Sequence, residues 1–271
     1  MSIYYVLLSF FVYGFFGWCT EVAYAAVKQH QFVNRGFLNG PICPIYGLGV
    51  TTVVLCLSRY KDNLLLLYVA SVVLVTVLEG LTGWLMKKIF HARWWDYTKQ
   101  PLNIGGYVCL LFSLIWGVAC VIIVDFVHPV IMKILNFLPN IAGMILLVIA
   151  IIGILVDVYV TSASIFRMNE RLAKMGEIAE ELRRMSDEIG ENIYSSVMEA
   201  LEKQEILKLK SKKITEDMQV HVEELKQRYQ ELSEAVQKKH KRLLKAFPKL
   251  DFLSHREVLN RLQEKINQRK I

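Results

Sequence analysis

Three acidic side chains sit where an acid is expensive. Glu21, Glu79 and Asp157 each fall inside a stretch of apolar residues long enough to cross a bilayer. A charge at that depth costs about 2.5–3.5 kcal/mol on insertion scales and faces a partner or a wet cavity. Glu21 lies six residues before the end of its apolar run and Glu79 eight before Lys87. At 1.5 Å per residue both lie roughly 10 Å inside the same surface, with Asp157 somewhat deeper. Three carboxylates on one side, with few basic residues in the spans, can share protons or attract a cation. The plainer reading is that each hydrogen-bonds a nearby Tyr, Trp or Asn, and for Asp125 that reading is preferred. For Glu21 and Glu79 the functional reading is preferred, because each is flanked by a Gly-Trp pair (Gly17-Trp18, Gly83-Trp84).

Two connecting stretches carry the remaining candidates. Residues 34–47, NRGFLNGPICPIYG, place two glycines and two prolines ahead of an apolar helix. Gly and Pro there free backbone amides and carbonyls that can line a cavity or hold a ligand at a helix start. A tight re-entry turn explains the same residues equally well. The second stretch crosses Trp94-Trp95-Asp96-Tyr97 and turns at Pro101 and Asn103-Ile104-Gly105-Gly106. The rings alone would read as interfacial anchors, which leaves Asp96 and its neighbour Arg93 unexplained. The candidate substrate- or ion-binding set is therefore Glu21, Asn39, Glu79, Trp95, Asp96, Asn103 and Asp157. No GxxxxGK[ST], HExxH, GxSxG or GxGxxG occurs, and His91 has no second His at ligand spacing. The expectation is no catalytic residue, no metal and no cofactor, so an enzyme is disfavoured.

The elements that must position these residues follow from how charge is distributed. The 271 residues are 54% hydrophobic yet 21% charged. Residues 1–166 hold 9 Lys/Arg and 6 Asp/Glu, whereas 167–271 hold 23 and 19. The first part reads as a transmembrane domain and the second as a water-soluble cytoplasmic arm. A net charge of +7 spread over mixed charges excludes a dedicated nucleic-acid binder and suits anionic lipid headgroups. The five cysteines form no CxxC and read as small buried hydrophobes. Apolar runs at 3–27, 41–58, 64–86, 105–127 and 141–166 predict about five spans, the second short and broken or tilted. Basic residues in the third link and the arm place the N-terminus outside and the arm in the cytoplasm of a multi-pass plasma-membrane protein. Between the last two spans, residues 128–140 read as a short helix in the outer interface.

In the arm, apolar residues recur at 168, 172, 175, 179 and 182, and again from Ile214 through Met218, Val222, Leu225, Tyr229 and Leu232 to Val236. Steps of three and four are the coiled-coil signal. A continuous rod and a hairpin turning near Gly190 or Lys208–Lys213 both fit. Because self-pairing needs no tight turn, the 214–236 segment is expected to drive homo-oligomerisation. Residues 254–270 read as a short basic amphipathic helix. Links one and three also resemble each other, each leading from a span with a Glu to an Asn/Gly turn, as a parallel repeat would.

GW-x-x-E (17–21), NRGFLNGPICPIYGLG (34–49), E-x-x-TG (79–83), WWDYT-x-x-PLNIGGY (94–107) and SLIWG (113–117) together resemble the bacterial ABC-transporter permease family called type IV, or CmpB. The resemblance covers about residues 3–127, and RLLKAFPKL near the C-terminus is similar too. It implies a bacterial, mostly Firmicute-type, plasma-membrane protein and supplies no substrate or catalytic residue. With no nucleotide-binding motif in this chain, an ATP-driven role would need a partner ATPase. The expected architecture is all-α: a polytopic bundle plus a long coiled-coil-like arm. The expected function is permease-like transport through a polar, inward-facing intramembrane pocket. The alternative is a scaffold or regulator acting on a cytoplasmic protein through the arm.

Overall fold

The computed structural model describes residues 2–202, 207–247, 250–252, 255–259 and 262; the side chains of 188–202 and 207–217 stand outside that description. The chain is 80% helical and all-α in class. It divides into two compact units, Met1–Ile165 with Arg242–Leu253, and Phe166–Lys241 with Ser254–Ile271. Composition assigns residues 242–253 to the arm, yet they belong to the first unit.

The first unit is built from α1 (Ile3–Gln29), α2 (Pro44–Leu57), α3 (Leu64–Phe90), α4 (Leu110–Ile122), α5 (His128–Phe137) and the start of α6 (Asn140–Glu202). Four helices are long and apolar enough to cross a membrane: Ile3–Gln29, Leu64–Phe90, Leu110–Phe137 and Asn140–Asp187. The second apolar run falls short because α2 has only 14 residues. Pro44 occupies its first turn, where a missing N–H costs nothing, and the residues before it run as irregular loop. The expected interfacial helix at 128–140 is likewise revised. α4 passes through a π-helical turn (Ile123–Val127) straight into α5, and Pro129 sits in the first turn of α5. A π turn redistributes the hydrogen bonds that a proline interrupts.

Helix ends match between links one and three. α1 and α3 each have 27 residues, each carries lysine in its last turn, and each stops at a left-handed histidine, His30 (φ 51°) and His91 (φ 52°). Cations in a last turn complement the helix dipole, and a left-handed residue is a usual helix stop. α1 packs on α2, α3 on α4, and α2 on α3. The first contact needs glycine: a Cβ on Gly17 would lie 2.3 Å from Tyr46 Cβ, and one on Gly47 2.5 Å from the Phe10 carbonyl oxygen. Without a hydrophobic driving force in lipid, such close approach is how spans associate. Leu8, Val53, Val54, Leu67, Cys120 and Ile131 form the core of this bundle. Ile145, Ile149, Ile152 and Val156 of α6 stay exposed, as a lipid-facing stripe would. The C-terminal piece of the unit holds α8 (Lys241–Ala246) and a two-residue strand β4 (Asp251–Phe252), paired antiparallel with β1 (Ala92–Arg93). A second pair joins β2 (Asn103–Ile104) to β3 (Val108–Cys109).

In the second unit α6 runs unbroken through Gly190, and α7 (Leu207–Lys239) lies antiparallel to it. Arg171 meets His240 at 3.2 Å and Glu181 meets His221 at 3.5 Å. Met168, Leu172 and Met175 are fully buried, with Leu225 and Val236 buried on the α7 side. The two apolar stripes of the arm thus face each other within one chain, which gives the 214–236 stripe a cover in cis. Ile214's side chain, residues 203–206 and most of the amphipathic stretch 254–270 lie outside the described residues.

Candidate functional site

Beyond His30 the chain crosses back toward α2 through residues 34–43, a loop held by side chains from three helices. Trp18 Nε1 donates to Asn34 Oδ1 at 2.8 Å, the Gly36 amide donates to the same oxygen at 3.0 Å, and Asn34 Nδ2 donates to the Asn39 carbonyl at 2.7 Å. From α6, Asp157 Oδ1 accepts from the Asn39 amide (3.1 Å), Asn39 Nδ2 (2.9 Å) and Thr161 Oγ1 (3.0 Å), while Oδ2 accepts from the Gly40 amide at 2.6 Å. Arg242 donates to the carbonyls of Gly36, Phe37 and Leu38 at 2.9, 3.0 and 3.0 Å. One side chain satisfies the loop's amides and another its carbonyls. Burial lowers the Arg242 pKa, and the Asp157 charge opposes that shift. Both oxygens of Asp157 are thus engaged, and they tie the loop at 39–40 to α6.

The other two carboxylates are also tied within the bundle. Tyr46 Oη donates to Glu21 Oε1 at 2.8 Å, and Arg35 Nε lies 3.3 Å from Oε2 without the alignment of a hydrogen bond. Arg35 is itself steadied over the Tyr24 ring, 5.1 Å from its centroid. Tyr97 Oη donates to Glu79 Oε1 at 3.2 Å, and its ring stacks on Phe112 at 5.1 Å. Glu79 Oε2 is enclosed and has no hydrogen-bond partner among the described residues. Burial above all, then the Glu79 carboxylate, pushes the Tyr97 hydroxyl pKa up, and Glu21 adds in the same direction. Both carboxylates therefore act on one hydroxyl. Between the two arrangements Tyr46 and Trp116 meet edge to face at 5.6 Å.

Trp95, Asp96 and Asn103 build the second loop. Trp95 Nε1 donates to the Tyr107 carbonyl at 2.8 Å, and Asp96 Oδ1 accepts from the Thr98 amide at 2.9 Å with Arg93 3.9 Å away. Asn103 Nδ2 donates to the Gln100 carbonyl at 2.8 Å, and its Oδ1 accepts from the Gly106 amide at 3.2 Å. The more enclosed tryptophan is Trp94, in contact with Phe37 (5.3 Å), Phe90 (6.2 Å) and Phe247 (4.9 Å). Of the seven expected residues, Asn39 and Asp157 meet directly, while Glu21 and Glu79 each accept from a tyrosine of their own, Tyr46 and Tyr97. The remaining three shape the second loop. Arg35, Tyr46, Thr161 and Arg242 were absent from that set. Arg35 stood unremarked in the 34–47 stretch and Tyr46 as part of an apolar run. Arg242 stood in a segment marked only by the resemblance of RLLKAFPKL.

A bundle of long apolar helices with carboxylates turned inward and its loops tied from within defines a polytopic membrane protein. Residues 8–162 match the family described as "Putative ABC-transporter type IV", and the chain belongs to that family. The match reaches Asp157 and Thr161 and stops well before Arg242. No curated protein and no solved structure matches the chain.

Proposed function

We propose that this is a transport-type, permease-like protein of the plasma membrane. Its polar pocket opens to the cytoplasm beside Glu21 and Glu79 and is framed by the loops that carry Asn39, Trp95, Asp96 and Asn103. Asp157 holds the first of those loops in place. The observation that carries this reading is Glu79, held by Tyr97 on one oxygen and unpartnered on the other. An enclosed carboxylate without a counter-charge is costly unless a ligand completes it, and the uncompensated acid favours a cationic solute. Glu21 differs, since Arg35 already balances it. Phe37 beyond α1 touches Phe90 and Trp94 at the end of α3, so those two helices end on the same side. α2 must then return across the same thickness. We take it as the short fifth passage, with the N-terminus outside and the arm cytoplasmic. ATP-driven work would need a partner ATPase, and a homo-oligomer through the arm remains part of the proposal only if a surface other than the buried stripe serves.

The test is accessibility. In a chain whose five cysteines are replaced, Glu79→Cys should react with a membrane-impermeant thiol reagent in inside-out vesicles and stay silent in right-side-out ones. Silence in both, with the chain correctly inserted, removes the pocket. The second reading, a regulator working through the arm, is favoured by the internally paired second unit. Excising residues 170–239 while keeping 242–252 separates the two, because a transporter retains its solute flux and a regulator loses its output.

A further inference from the structure

Residues 242–252 lie outside the family match and in the charged part of the sequence, yet most of the apolar side chains described there are enclosed. Leu243, Ala246, Leu250 and Phe252 are 3%, 0%, 3% and 1% exposed. The segment reaches both loops of the first unit through four kinds of contact. On the first loop Arg242 takes three consecutive carbonyls, and Ala246 packs with Ala25 and Val33. On the second loop the Phe247 ring stands edge-on to Trp94, and Asp251–Phe252 pairs antiparallel with Ala92–Arg93. Phe37 of the first loop closes the circuit on Trp94.

The segment has little to hold it together on its own. A six-residue helix is far below the length at which helices are stable alone, and a two-residue strand pair is marginal. Its order comes from the cradle, by the means a bound peptide uses: an added strand, a ring among rings and an anchoring side chain. Among the described residues Arg242 donates its hydrogen bonds to carbonyls and to no carboxylate, so the fit depends on the shape of the first loop.

We propose that residues 242–252 are a cis-acting latch, a peptide ligand carried by the chain itself. Docked, it staples the loop bearing Asn39 to the loop bearing Trp95 and Asp96; released, it frees both together. The latch stands whether or not the neighbouring pocket carries a solute. Hydrogen exchange on the full chain in detergent tests it. Arg242→Ala should speed amide exchange at least about tenfold in residues 34–40 and 91–97 alike, since hydrogen bonds from a charged donor are lost. Acceleration confined to 34–40 overturns the proposal. Independently of how that variant folds, Arg93→Cys with Asp251→Cys, in a chain lacking the native cysteines, places a lockable pair on facing positions. Oxidation should slow exchange in both loops at least about tenfold relative to the reduced protein. Equal exchange before and after oxidation means a static tie, and disulfide-linked dimers mean docking between copies; either result overturns the latch.

Discussion

Asp157 illustrates how a charge in a span is made tolerable here. Its oxygens take two backbone amides, an amide side chain and a hydroxyl, so the loop at 39–40 depends on it. Hydrogen bonds to a charged group contribute about 1.5–3 kcal/mol each and do not add simply. Asp157→Ala should therefore cost about 3 kcal/mol, read as a fall in Tm of the detergent-solubilised chain, with Asp157→Asn clearly milder because its carbonyl still accepts. His240 gives a second residue-scale expectation. Burial, reinforced by Arg171 and Lys239, lowers its pKa to about 4. Between its unfolded value near 6.5 and about 4 the unfolded chain binds the extra proton. Stability is then intact above the unfolded value and declines as pH falls through that window, by roughly 2–3 kcal/mol in all. Thermal unfolding followed by circular dichroism should show a lower midpoint at pH 5 than at pH 7.5, and His240→Gln should shrink the difference. The sequence exposes Glu21, Glu79 and Asp157 because acids stand out in apolar runs. Their partners stay hidden there: a tyrosine or arginine looks the same whether it faces lipid, water or a carboxylate.

At the scale of elements, the α1–α2 contact decides whether Tyr46 can reach Glu21. Gly17→Val would drive a branched side chain into the Cβ and Cγ of Tyr46, which lie 2.3 and 2.4 Å from the ideal Cβ position. Overpacking of that kind costs about 1–3 kcal/mol, and here it also breaks the Tyr46–Glu21 hydrogen bond. Gly49→Ala, with nothing within 4 Å, should leave the midpoint unchanged. Loss of stability in both variants, or in neither, would separate that contact from the bundle's integrity. The long helices were legible because apolar length alone specifies a span. Where helices break was less so: the start of α2 depends on loop hydrogen bonds, and α4 runs on into α5 because a π turn absorbs Pro129. The likeness of links one and three extends to the paired 27-residue helices with left-handed histidine stops. The acids do not superpose in it, since Glu21 lies nine residues before its histidine and Glu79 twelve, about one turn deeper.

For the molecule as a whole, the arm's apolar stripes decide between closing on the same chain and closing on another copy. Periodicity identifies a stripe that must be covered but carries no information about which chain covers it, and that is why rod and hairpin were equally readable in the sequence. The packing of Met168, Leu172 and Met175 in the unit that buries Leu225 and Val236 supplies a cover in cis. Facing polar contacts repeat the same antiparallel register, Arg171 with His240 and Glu181 with His221. Helices packed at an interaxial 8–10 Å hold labels on facing positions within about 20 Å. Spin labels at Glu181→Cys and His221→Cys, in a full chain otherwise free of cysteine, should thus report one short distance in detergent. Diluting the labelled protein tenfold with unlabelled chain discriminates the origin of that distance. A hairpin keeps it at undiminished amplitude, because both labels travel on one chain. A seam between copies loses most of it, because a labelled chain then meets an unlabelled partner; that loss would return the arm to the role of an oligomerisation element.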